Sequence, residues 1–150
     1  MKMPPQYTKA QANMVPGEIT AEGFLGSDSR PLLDIIEADE EKLQALGLNF
    51  ESLSKKMQHL MDEGRRGLGE GITVDSKWLV QVSEARGFLA CPFEDGIFRK
   101  ITATVTHTQK KQSFSFSALS LHLLEVHHFL EGRGSTFRVE PEILKGILEL

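Results

Sequence analysis

One hundred and fifty residues, 40% hydrophobic and 25% charged, fit a single globular domain and exclude a chain disordered throughout. A net charge of −4 and a pI near 5.7 argue against a nucleic-acid partner, because such binders carry a basic footprint. The lone cysteine, Cys91, excludes an intramolecular disulfide and points to a reducing compartment.

Residues 1–22 hold Pro4, Pro5 and Pro16, little apolar periodicity and no continuous apolar run. They read as an extended or partly mobile arm, not as a signal peptide or membrane anchor, so a cytoplasmic protein without a membrane partner is expected. A single α+β domain over residues 23–150 follows, with Phe24 and Leu25 the first residues to dock on a core.

Ser27-Asp28-Ser29-Arg30-Pro31 is a helix-start signature, and Leu32, Leu33, Ile35, Ile36, Leu43 and Leu46 then recur at helical spacing up to Gly47. Asn49 caps a second helix carrying Phe50, Leu53, Met57, Leu60 and Met61 on one side and ending at Gly64, which makes a helical hairpin. The glycine-rich stretch 64–71 (GRRGLGEG) lacks the Gly-Lys-Ser/Thr end of a phosphate-binding loop and precedes a strand, so it reads as a connector. Beyond it the period changes to two. Trp78, Val80 and Val82 share one face of a strand; Ile97, Ile101, Ala103 and Val105 share a face of the next; Phe114 and Phe116 alternate with serines in a third. Residues 87–96 form a long connection containing Cys91-Pro92-Phe93-Glu94-Asp95-Gly96. Ser117 caps a helix over 118–131 stopped by Gly132. Residues 137–139 suit a short strand, and Pro141 opens a last helix.

The expected fold is therefore α+β: a three- or four-stranded antiparallel meander with helices packed on one face, preceded by a helical hairpin. The other face is rich in threonine and serine and is free to meet water or a second copy of the chain.

Three of the five histidines, His122, His127 and His128, fall on the 118–131 helix. His122 lies in its apolar stripe and needs a partner for its nitrogens; Glu125, at i+3, is within reach. His122 as acid or base and Cys91 as nucleophile are the catalytic candidates. Arg133 and Arg138, in the loop after the helix, and His127 are the ligand-binding candidates, because guanidinium forks suit carboxylate or phosphate. No metal site is favoured. His122 and His127 stand five apart, about 140° around a helix, and nothing local assembles three ligands; His107, His122 and Cys91 are the weak candidates. No cofactor is expected.

Charge is divided along the chain. Residues 34–51 hold six acids and one base, and residues 97–139 six bases and two acids, a pattern suited to self-association or an anionic small molecule. The first functional expectation is a domain acting through protein contacts as a homo-oligomer, most simply a homodimer. The alternatives are a ligand-binding domain or small enzyme, with its pocket between the 118–131 helix, the Cys91 loop and the Arg133 loop, and a His/Cys metal site.

Overall fold

The computed structural model describes residues 3–150. Helices α1 (Pro5–Asn13), α2 (Leu32–Ala45) and α3 (Phe50–Gly64) precede strands β1 (Ile72–Val74), β2 (Trp78–Ala90), β3 (Ile97–His107) and β4 (Ser113–Ser117), and helices α4 (Ala118–His127) and α5 (Pro141–Leu148) close the chain. The fold is α+β, and the strands form one antiparallel meander in the order β1-β2-β3-β4. No helix of the described residues is long and apolar enough to cross a membrane.

Local chemistry explains most of the boundaries. The Asn49 side chain accepts the Ser52 N–H at 3.0 Å and starts α3. Ser117 and Ser120 form a reciprocal capping box that turns the chain from β4 directly into α4. The start of α2 is served from a distance. No side chain of the 27–31 segment caps it; the Leu32 N–H donates to Gln11 Oε1 of α1 at 2.9 Å. Residues 5–13, expected as extended arm, are helical because Ala10 and Met14 find a core to bury against.

Two apolar clusters share the molecule. The first lies between the sheet and α3, α4 and α5, with Trp78, Val80, Val82, Ala103, Val105 and Phe116 on the inner sheet face. Trp78 Nε1 donates to the Ile147 carbonyl at 2.8 Å, which fixes α5 over the sheet. The second gathers Met14, Phe24, Ile35, Leu123 and Phe129 around Cys91. Helix α4 stands between them, giving Leu121 and Leu124 to the first and Leu119 and Leu123 to the second.

The β2–β3 hairpin reaches both clusters by changing its buried face. Register shifts between Ala85 and Phe88. Before the shift, inward Val80 and Val82 pair with Val105 and Ala103; beyond it, Leu89 and Phe98 face each other and pack against the second cluster. Ile97 keeps the parity of Ile101, as the sequence pattern predicts, yet it is 67% exposed because the buried side has switched. The connection between the strands narrows to residues 91–96. Helix α4 ends at His127, four residues short of the expected stop. His128 takes the left-handed conformation there (φ 54°) instead of Gly132. Residues 137–139 are not a strand.

Candidate metal centre

The turn at residues 91–96 is held at its base and at its tip. The Cys91 N–H donates to the Gly96 carbonyl and the Glu94 N–H to the Cys91 carbonyl, both at 2.9 Å. Asn13 Nδ2 of α1 donates to the Pro92 carbonyl, also at 2.9 Å. This folds Cys91 and Asp95 onto the side that faces α4. From the helix, His122 and His127 reach down to the same point. The Asp95 carboxylate accepts from His122 Nε2 at 3.1 Å and from His127 Nε2 at 2.8 Å, and Cys91 Sγ lies 3.9 Å from His127 Nε2. One donor atom from each of Cys91, Asp95, His122 and His127 falls within 4.8 Å of the other three.

Five positions apart, His122 and His127 would not share an ion lying beside the helix wall. Here the helix lies across the turn, and the two imidazoles close from either flank on a carboxylate between them, with ring centroids 5.3 Å apart. Aromatic rings hold both: Phe93 stacks on His127 at 3.9 Å and 7°, and Phe98 covers His122 at 4.3 Å. Glu125, the partner expected for His122, is exposed, and Asp95 takes its place.

The electrostatics follow from burial and from these contacts. Burial pushes the Cys91 thiol up to about 12, and the neighbouring Asp95 carboxylate adds to the effect. Burial also lowers His127, against the opposing pull of Asp95. Asp95 lies well below the usual carboxylate range: its own partial burial works the other way, and hydrogen bonds from Cys91, His122 and His127 outweigh it. A thiol so far from ionisation is a poor nucleophile. Both imidazoles direct Nε2 at the one carboxylate.

Of the residues singled out in the sequence, Cys91, His122 and His127 meet and the others do not. His107 is buried at the far end of β3. Its Nε2 donates to Glu149, and its Nδ1 accepts the Gln109 and Lys110 N–H groups, so both nitrogens are satisfied away from the cluster. Arg138 is buried against Asp39, with Nη2–Oδ1 at 2.9 Å and a second parallel bond from Nη1. It also reaches Glu140 and the Glu131 carbonyl, which leaves no fork for an outside anion. The Arg133 loop folds against residues 25–28 through its backbone: Arg133 N–H donates to Asp28 and its carbonyl accepts the Ser27 N–H. Asp95 went unmarked in the sequence. The signal for it is the spacing Cys91-x-x-x-Asp95 inside a turn whose flanking strands pair, which becomes visible once the β2–β3 register is known.

The fold and the cluster together define a small α+β domain with a mixed sulfur, nitrogen and oxygen donor set at the junction of a hairpin and a helix. A scan against protein-family models, a search of curated proteins and a search of solved structures each found no match.

Proposed function

We propose that the chain is a zinc-binding domain in which one ion, held by Cys91, Asp95, His122 and His127, ties the β2–β3 turn to helix α4. The observation that carries this is the convergence of four donors of the right types within 4.8 Å. A tetrahedral ion with bonds of roughly 2.0–2.3 Å sets its ligands about 3.3–3.8 Å apart. The 2.8, 3.1 and 3.9 Å contacts lie on either side of that spacing, and all four donors fall within 4.8 Å of one another. Sulfur and imidazole favour zinc over magnesium or calcium, which prefer oxygen.

Four protein ligands fill a tetrahedron and leave no open position, so the ion is structural rather than catalytic. Self-association as the main role drew support from the absence of an assembled catalytic set in the sequence, from a mobile-looking arm and from a hydroxyl-rich sheet face. That support weakens once these four side chains stand together. The competing reading is a metal-free pin, in which Asp95 simply bridges two imidazoles.

Elemental analysis of protein purified without chelator, followed by equilibrium dialysis against micromolar zinc, separates the two. One zinc per chain is expected, falling to background in Cys91→Ser with His122→Ala. Protein that takes up no more zinc than this double variant does is a hydrogen-bonded pin, and the proposal fails.

A further inference from the structure

Glu131 is the other ionisable group that burial isolates. Its side chain is 97% removed from solvent, as its exposure is 3%. One hydrogen bond reaches it, from Ser135 Oγ to Oε1, and no cation pairs with it among the described residues. Its backbone is left-handed (φ 68°), a conformation that costs a residue with a Cβ. The surroundings impose that conformation from both sides. Arg138 Nη1 donates to the Glu131 carbonyl, and the Gly132 N–H donates to the Phe24 carbonyl so closely that a Cβ on Gly132 would stand 2.2 Å from the Leu25 oxygen.

Glu131 lines space on two sides. Inward, between Met57, Phe116 and Leu144, lies a void of about 20 Å³, room for one water. Outward lies a cleft of about 310 Å³ between the 20–24 loop and Leu119. That cleft shares Thr20, Ala21, Leu89, Ser117, Leu119 and Phe137 with a second of about 510 Å³, which runs on to Arg99 and Lys100. Volumes of this size suit small organic molecules. The walls are mainly apolar, and Glu131 and the exposed Glu22 are the two acidic residues that line the cleft.

We infer that this cleft binds a small molecule with an apolar body and a hydrogen-bond-donating head, an amine or an alcohol, whose head reaches Glu131 and whose body lies against Leu89, Leu119 and Phe137. The site is separate from the metal cluster, and its test needs no metal. Burial pushes Glu131 up to about 7, so at pH 8 the carboxyl is largely ionised and an ammonium head gains a charge-assisted bond.

Hexylamine, 1-hexanol and hexanoate serve as probes, titrated at pH 8 with amide chemical shifts as the readout. Hexylamine and 1-hexanol are expected to shift residues 20–24, Leu89 and Glu131 saturably, and hexanoate not to. Glu131→Gln should weaken hexylamine about tenfold or more and change 1-hexanol by no more than about threefold. Ala21→Trp, on the exposed loop, keeps the carboxyl and fills the cleft, and should abolish both. Hexanoate binding as tightly as hexylamine, shifts centred elsewhere, or probe affinities unchanged in Ala21→Trp would each overturn the inference.

Discussion

A buried glutamate with one hydroxyl donor holds its proton more tightly in the folded chain than in the unfolded one. Glu131 is raised from its ordinary value of 4.5 to about 7 by burial, with Ser135 opposing. Between those values the folded state binds the extra proton, so stability falls as pH rises through that window and is flat above it. The span corresponds to a loss on the order of 3 kcal/mol. Glu131→Gln keeps an oxygen for Ser135 and removes the titration. The variant should be more stable than the parent at pH 8, with the gap closing toward pH 5. Urea midpoints at the two pH values test this, and a gap independent of pH would show that the carboxyl is solvated. Arg138 behaves in the opposite sense. Removing it by Arg138→Met strands Asp39, itself 3% exposed, and should cost about 3–5 kcal/mol in urea unfolding. A cost below about 1 kcal/mol would be that of a surface pair. Sequence pattern alone could name His122 as a residue in need of a partner and Arg138 as a fork suited to a carboxylate. The partners, Asp39 and Asp95, lie 99 and 27 positions away, and periodicity carries no information over such separations.

At the scale of elements, the hydrophobic periods were enough to place α2, α3, β4 and α5, because each buries one regular stripe against the sheet or a neighbouring helix. They were not enough where an element changes partner. The β2–β3 hairpin switches its buried face at the 85–88 irregularity, so its outer half resembles a loop in any pattern that assumes one core. Helix α4 is apolar on two sides because it divides two clusters, which hides where it ends. Gly64 shows how one residue supports two readings. It looks like a helix stop, yet it is the last residue of α3 and lies against β2, where an added Cβ would sit 2.4 Å from Val80 Cγ1 and 2.8 Å from Val82 Cγ2. Alanine has the better helix propensity, by roughly 1 kcal/mol. The collision is with two buried β-branched side chains, so overpacking of about 1–3 kcal/mol decides the sign. Gly64→Ala should lower the melting temperature. An unchanged or higher value would mean that α3 lifts from the sheet at no cost.

For the whole molecule, the 91–96 turn is the place where the hairpin, α1 and α4 meet, and beyond buried Cys91 and Pro92 its apolar cover is thin. Phe93 and Phe98 are only partly buried, Phe88 and Ile97 are exposed, and the ion pair of Lys9 with Glu94 is a surface one. Regions of this kind open locally at less than the global unfolding free energy. An ion bound by two ligands from the turn and two from α4 would close that gap, because separating the elements would then require breaking coordination. The stabilisation should grow with free metal as the logarithm of its excess over the dissociation constant, reaching about 2.7 kcal/mol at a hundredfold excess. Amide hydrogen exchange gives the spatial test. Zinc should slow exchange at residues 88–98 and at the C-terminal turn of α4, and should leave β4 and α5, which belong to the other cluster, nearly unchanged. In Cys91→Ser, exchange with zinc should match exchange of the same variant without zinc. Uniform slowing across the sheet would instead mark nonspecific binding, and equal slowing in Cys91→Ser would place the ion away from this junction.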